Sequence, residues 1–320
     1  MSIKENIKVI GESTGFQEVL RTVELVAVTD IPVLLSGETG TGKKRLAQYI
    51  HQESRRHTRS FISVNCAALP EDLAEAMLFG HKELETNEKS LGYIAKACSG
   101  SLFLDNISTL TKGLQVKLLH FIETCEVQAV GDKTTRKYDV RLIVATHKNL
   151  ADEVNAGNFR SDLFYRLNVI PVEIPALHER KGDALLLMEY FYRELVREQH
   201  HTAPSFTKAA LKQIAHYNWP GNIQELHNFC ERTFILFGGK QVDISNLPQE
   251  IRLYSSTPSE NVSDQLFSLP ATGIKLEEVE VDLIHQALQN TNGNKSRAAR
   301  LLGLTRDTFL YRLKKYTIDI

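Results

Sequence analysis

Apolar residues fall into two rhythms along the chain. Up to about Ile174, short apolar runs alternate with stretches whose apolar positions recur every three or four residues, the pattern of a mostly parallel sheet covered by helices. The runs predict strands at Val33 to Ser36, Phe61 to Asn65, Ser101 to Leu104, Arg141 to Ala145 and Asn168 to Ile174. Beyond Pro175 the spacing turns helical. Leu185, Leu186, Tyr190 and Phe191, then Leu211, Ile214 and Ala215, predict a small helical domain with almost no strand. Both rhythms vanish over residues 254–273, where ten of twenty residues are Ser, Thr, Pro or Gly, the composition of a linker. Leu276 to Leu288 then reads as an amphipathic helix. After it, Ala298, Leu302, Leu304, Phe309 and Leu313 are spaced so that two helices joined at Gly303 pack together as a helix-turn-helix. The expected division is an α/β domain over 1–174, a helical domain over 175–253, the linker over 254–273 and an all-α domain over 274–320.

Composition narrows the setting. The 320 residues are 42% hydrophobic and 24% charged, ordinary for globular domains. Lys plus Arg number 38 against 39 Asp plus Glu, so any attraction to nucleic acid must be local. A polar N-terminus and the lack of a long apolar stretch argue against a signal peptide or membrane span and for a cytoplasmic protein. Cys66, Cys98, Cys125 and Cys230 lie far apart with no metal-binding spacing, and read as reduced, mostly buried thiols. His200 and His201 have no partner at helical spacing, so no zinc is expected.

Against that background one octet carries chemistry. Gly37-Glu38-Thr39-Gly40-Thr41-Gly42-Lys43-Lys44 follows a predicted strand and opens a predicted helix. Backbone N–H groups and a helix N-terminus then face a polyphosphate, the glycines let the chain curl round it, and Lys43 brings a point charge to the terminal groups. The expected ligand is ATP or ADP. At the eighth position a Ser or Thr hydroxyl usually ligates magnesium, but this chain has Lys44.

A second feature lies near the end. Residues 293–316 hold seven Lys or Arg and one acid, Asp307, a local charge of seven minus one, +6. Coinciding with a helix-turn-helix whose second helix has Thr305 as N-cap, this points to double-stranded DNA. Arg306, Asp307, Thr308 and Tyr311 are expected to face base edges, and Lys295, Arg297, Arg312 and Lys314 to meet phosphates.

Taken in order, Ile10-Gly11-Glu-Ser, the glycine-rich octet, Val64-Asn-Cys-Ala-Ala-Leu, Leu78-Phe-Gly-His, Leu102-Phe-Leu-Asp, Phe159-Arg-Ser-Asp-Leu-Phe-Tyr-Arg-Leu-Asn, Trp219-Pro-Gly-Asn-Ile and Asn294-Lys-Ser-Arg-Ala-Ala-Arg-Leu-Leu-Gly resemble the bacterial enhancer-binding proteins. These are AAA+ activators of sigma-54 polymerase with a Fis-type helix-turn-helix. The resemblance implies an AAA+ P-loop domain of mostly parallel sheet covered by helices, a helical lid and an all-α DNA-binding domain. It also implies assembly with itself, as a dimer or ring. Ile10, Gly11 and Gln224 would border the nucleotide, Asp105 would hold the magnesium shell and Thr146 would be the first sensor. Asn65 matches the switch asparagine, and Arg160 and Arg166 the arginines that reach a neighbour's nucleotide, where such a finger is worth roughly 10³ to 10⁵ in rate.

Departures from the family pattern bear on activity. The family's Asp-Glu pair is Asp105-Asn106 here, and an amide cannot take a proton from water at neutral pH, a loss worth on the order of 10² to 10⁴ in rate. Asn65 thereby loses the target it would restrain. Gln224 stands where the lid normally supplies a phosphate-sensing Arg, and Lys44 reverses the charge of the family's Glu. After His81 the family's Gly-Ala-Phe-Thr-Gly-Ala loop touches sigma-54, whereas Lys82 to Ser90 is short, charged and without its glycines or Phe. The reading is a DNA-binding transcription regulator that binds nucleotide, hydrolyses it poorly and does not remodel sigma-54 polymerase. The alternative is an ATP-hydrolysing sigma-54 activator. With AAA+ motifs beginning by Ile10, no sensory domain is expected ahead of them. Control would come from a partner protein acting in trans, from nucleotide or a related ligand, or from abundance, and RNA polymerase is a further expected partner. A cyclic dinucleotide is one such ligand, though no motif indicates it.

Overall fold

The computed structural model describes residues 8–82, 89–254, 276–291 and 294–316. The chain forms two compact units, Met1–Ser256 and Thr257–Ile320.

The first unit is built on a five-stranded parallel sheet of β1 (Val33–Ser36), β2 (Phe61–Asn65), β3 (Ser101–Asp105), β4 (Arg141–Thr146) and β5 (Ile170–Glu173), in the order β2-β3-β4-β1-β5. Strands this apolar are buried on both faces, and alternate residues serve different cores. Val33, Leu35, Phe103, Ile143 and Val172 pack with Phe16 and Val23 of α1 (Thr14–Ala27) and Leu46 and Ile50 of α2 (Lys43–Gln52). Leu34, Leu102, Leu104, Leu142 and Val144 pack on the other face with Leu114, Leu118 and Phe121 of α3 (Lys112–Thr124) and Leu163 and Leu167 of α4 (Ser161–Leu167). Arg141, 1% exposed, opens β4 by donating to the carbonyls of Val26 and Ala27 in the last turn of α1, where intrahelical donors run out.

Two strand ends fall one residue beyond expectation, at Asp105 and Thr146, so that both polar residues emerge at the carboxyl edge of the sheet. The fifth strand begins at Ile170 instead of Asn168, because Asn168 ends α4 and Val169 is exposed.

The lid is helical: α5 (Asp183–Gln199), α6 (Lys208–His216) and α7 (Asn222–Phe237) enclose Trp219, Leu226, Phe229 and Phe234. Strand is nearly absent, as expected, and is confined to a short parallel pair, Ser205–Phe206 with Gln241–Val242. His200 caps the end of α5 with φ 55°, and no three-ligand metal cluster occurs among the described residues. All four cysteines are free, but only Cys66 and Cys230 are buried, correcting the expectation for Cys98 and Cys125, which are exposed.

In the second unit α8 (Leu276–Asn290), α9 (Lys295–Leu301) and α10 (Arg306–Lys315) pack through Ile284, Ala298, Phe309 and Leu313, with Leu302 and Leu304 half-buried beside them. Gly303, at φ 66°, makes the turn, and Thr305 Oγ1 accepts from the Thr308 N–H at 3.3 Å as the N-cap of α10. The expected linker, 254–273, falls outside the described residues except for Tyr254.

Candidate functional site

The carboxyl edge of the sheet, the octet and the lid enclose a cavity of about 500 Å³. Thr39, Gly40, Thr41, Gly42, Lys43 and Lys44 form one wall, Asp105 and Asn106 the floor, and Ile10, Leu187, Phe191, Ile223, Gln224 and His227 the lid side. A charged end therefore faces the start of α2 while aliphatic and aromatic groups line the other, the layout of a site for a polyphosphate carrying a flat apolar group. Phe191 and His227 meet edge to face, centroids 4.8 Å apart, at that apolar end.

The octet is held from inside and outside. Lys43 Nζ donates to the carbonyls of Gly37 (2.8 Å) and Glu38 (2.7 Å), so its ammonium lies within the loop. Burial pushes it below the usual lysine range, with Asp105 and Glu38 acting in the opposite sense. Thr41 Oγ1 also donates to Glu38 O (2.8 Å). From the lid, Ile223 N–H donates to Gly40 O (3.0 Å), and a Cβ on Gly40 would stand 2.2 Å from Gly221 O. With φ of 83° as well, position 40 excludes other residues twice over.

Asn222 was not anticipated from sequence. It is fully buried, and its Nδ2 donates to Glu38 Oε2 (2.9 Å) and Thr39 O (3.0 Å) while its Oδ1 accepts from Leu177 N–H (2.7 Å). Its φ of 54° is a turn signal that an Asn after Pro-Gly could have suggested. Equally unanticipated is the Arg180–Asp183 pair, 2.8 Å apart and 1% exposed. Asp183 accepts from the N–H groups of Glu12 (2.7 Å) and Ser13 (3.0 Å), and Arg180 donates to Ile10 O (2.9 Å) and lies over the Phe16 ring. This pair pins Ile10, a wall of the cavity, to the start of α5. Gly11 sits beneath the arginine and does not line the cavity.

Asn65 was expected to have lost its target, and here the structure corrects the sequence reading. Asn65 Oδ1 accepts from Asn106 Nδ2 at 3.0 Å as well as from Ala67 N–H at 3.1 Å. Asn106 Oδ1 lies 3.0 Å from His147 Nδ1, so both ends of that amide are engaged. Thr146 is 1% exposed, its hydroxyl paired with Lys148 O (3.0 Å), and it does not reach the cavity wall. Arg160 and Arg166 lie exposed on or beside α4, paired with Asp162 (2.6 Å) and Glu123 (3.0 Å) and away from the cavity. Neither is engaged by the chain's own octet.

Magnesium fits this donor set only through one carboxylate. Asp105 is half-buried at the cavity floor with Oδ1 accepting from Asn106 N–H (2.9 Å), and Lys44 and Asn106 supply no anionic or hydroxyl ligand. A magnesium ion retaining its waters and leaning on nucleotide phosphates needs one or two carboxylates, so Asp105 meets the minimum.

After His81, the strands His81–Lys82 and Lys89–Ser90 pair antiparallel. The tip on which the expected loss of a sigma-54 contact rests, 83–88, lies outside the described residues.

On α10, Arg306, Asp307, Thr308, Tyr311 and Lys314 are exposed, as are Lys295 and Arg297 on α9. Arg312 departs from its expected phosphate-facing role, because its Nη1 pairs with Glu280 Oε1 of α8, a carboxylate that Tyr316 also reaches at 2.6 Å. Arg300, exposed on α9, adds a cation that was not singled out.

Comparison with known proteins finds three family segments. Residues 9–173 match the sigma-54 interaction domain, residues 178–264 an AAA+ ATPase lid domain and residues 275–316 the bacterial regulatory protein, Fis family. The transcriptional regulatory protein ZraR of Salmonella typhimurium is 40% identical over 309 residues, covering 96% of this chain and 68% of that one. The response regulator protein PilR of Pseudomonas aeruginosa is 39% identical over 316 residues, covering 98% and 70%. Among solved structures, NtrX from Brucella abortus in complex with ATP aligns at TM-score 0.72 and 29% identity, over 96% of this chain and 69% of that chain. Among the described residues no helix is long and apolar enough to cross a membrane.

Proposed function

The chain belongs to the sigma-54 interaction domain family of bacterial transcription regulators, and within it we propose a DNA-binding regulator whose AAA+ domain binds ATP or ADP, turns ATP over slowly and does not remodel sigma-54 polymerase. The carrying observation is Asn106. It occupies the cavity floor where the family's glutamate would polarise water, and its amide is held by Asn65 on one side and His147 on the other. An amide so held can neither take a proton nor swing aside.

Nucleotide binding is supported by the octet around Lys43, the cavity's charged and apolar ends, and the ATP complex of the related NtrX structure. Magnesium bound with the nucleotide would neutralise phosphate charge. Asp105 is the residue that would hold it, while Lys43, held within the octet, and the exposed Lys44 supply positive charge. Gln224 lines the cavity without charge, which removes one contact that distinguishes ATP from ADP. DNA is met by α10 and the exposed cations of α9.

The other reading, an ATP-hydrolysing sigma-54 activator, draws on Arg160 and Arg166, which are exposed at the surface and would have to exchange their partners Asp162 and Glu123 to meet a neighbouring copy. ATP affinity by titration together with steady-state turnover separates the two. Micromolar binding with turnover far below 1 per second is expected, and turnover of about 1 per second or more, in the usual enzyme range, overturns the proposal.

A further inference from the structure

The tautomer that one histidine beside the nucleotide cavity takes in its neutral form follows from a chain of hydrogen bonds whose first donor is fixed. The backbone N–H of Ala67 can only donate, so the Asn65 side-chain atom that meets it at 3.1 Å is oxygen. The same oxygen lies 3.0 Å from the Asn106 amide and must meet its Nδ2. Asn106 therefore turns Oδ1 toward His147, 3.0 Å from Nδ1. An acceptor there requires a proton on Nδ1, and neutral imidazole holds one proton, so Nε2 carries the free lone pair.

That lone pair has no partner among the described residues. His147 is exposed and borders an opening of about 480 Å³ with Glu38 and Thr39 of the octet and Asn218 and Pro220 of the lid. Thr39 also lines the nucleotide cavity, as does Asn106, the hydrogen-bond partner of His147, so the histidine stands one residue behind that cavity's wall. Of the charged groups nearby, Lys148 is held by Glu153 at 3.0 Å, while Glu38 and His178 border the same opening. A lone pair repels phosphate oxygens and accepts from water. Its chemistry at this place is to orient a water molecule.

We propose that His147 takes over, at lower efficiency, the water-activating role that Asn106 cannot perform, with Asn65 and Asn106 acting as positioning residues that fix its tautomer. The inference rests on the reading that ATP occupies the cavity. In the step, the water oxygen bonds to the terminal phosphorus as one water proton passes to His147 Nε2. The bond from that phosphorus to the bridging oxygen breaks, and ADP leaves with the electron pair. The imidazolium so formed keeps its Nδ1 proton on Asn106 Oδ1, an arrangement in which a neutral amide orients a histidine base.

The test is single-turnover hydrolysis of ATP by the full chain, with protein in excess. His147→Ala should slow hydrolysis by roughly 10² or more, the usual contribution of a positioned base, while ATP affinity measured by titration stays within about twofold. Because His147 is exposed, folding of the variant is not at issue, and the retained affinity verifies it. Added free imidazole should restore a substantial part of the lost rate in His147→Ala and leave the wild type unchanged, which a merely structural role would not produce. An unchanged rate in His147→Ala, a loss without imidazole rescue, or no detectable wild-type hydrolysis would each overturn the inference. The last result would leave the proposal of slow turnover standing. Rapid wild-type turnover that still depends on His147 would overturn that proposal and support this one.

Discussion

Asn222 on the lid grips Glu38 in the phosphate-binding octet at 2.9 Å, and does so from a left-handed backbone that few residues adopt. The lid is thereby fastened to the octet by a side chain as well as by the Ile223–Gly40 backbone bond. Loop conformation and lid position become one variable. Whatever fills the cavity acts on both.

Replacing Asn222 by Ala removes three hydrogen bonds and strains φ, so a loss of about 2–4 kcal/mol in unfolding free energy is expected from the two effects together. Asn222→Gly relieves the strain and isolates the bonding loss. Thermal and denaturant unfolding should rank wild type above Gly and Gly above Ala, with ATP binding weakened in both. Equal stability of all three would show that this grip contributes nothing.

Asn106→Glu should raise ATP turnover by roughly 10-fold or more if the rest of the site is competent, because a carboxylate regains the ability to take a proton. The change is not free of cost. Position 106 has φ 55° and ψ 46°, a left-handed conformation that suits Asn better than Glu, so a stability loss of roughly 1 kcal/mol should accompany the gain. Turnover measured beside a melting curve checks both expectations, and an unchanged rate in a folded variant would place the block elsewhere, at Gln224 or Lys44.

The octet and the strands were legible because glycine spacing and apolar runs are local properties of the chain, and Val33–Ser36 and Phe61–Asn65 agree with expectation end to end. What escaped were contacts across long separations. Asn222 lies 184 residues from Glu38, and Asp183 lies 171 from Glu12, so neither pairing leaves a periodic trace. Asn65 was read as bereft of a partner because a lost Glu was treated as a lost contact. An amide at 106 can still donate, and the pair survives with changed chemistry. Arg312 was grouped with phosphate-facing cations from helix spacing alone, which cannot reveal Glu280 on a neighbouring helix.

Thiol reactivity should divide the cysteines evenly. Burial pushes both Cys66 and Cys230 up to about 12, so at pH 8 neither presents appreciable thiolate, while Cys98 and Cys125 are exposed. A chromogenic disulfide reagent should modify two thiols quickly in native protein and four after denaturation. Raising the pH toward 12 would add thiolate at the buried pair, provided the fold persists. Rapid reaction of all four at pH 8 would contradict the packing around Cys66 and Cys230.

Three arginine or lysine substitutions in the C-terminal unit should differ in kind. Arg312, paired with Glu280, joins α10 to α8, so Arg312→Ala is expected to lower the melting temperature of this unit while leaving the salt dependence of DNA binding nearly unchanged. Lys314 is exposed and has no acidic partner among the described residues, so Lys314→Ala should weaken specific and random DNA alike and flatten the salt slope by about 0.9, the release of one counterion. Arg306 opens α10 beside the Thr305 cap, where recognition helices reach base edges, so Arg306→Ala should lower the ratio of specific to random affinity, by about 1–3 kcal/mol if the contact is bidentate. Each module presents only a short helix, so the site should be a near-palindrome with half-sites about one helical turn, or a multiple of it, apart. Footprinting and salt titration of the three variants on one operator check the scheme. A fall in salt slope for Arg312→Ala equal to that of Lys314→Ala would mean that the Glu280 pair opens on DNA and that Arg312 does reach a phosphate.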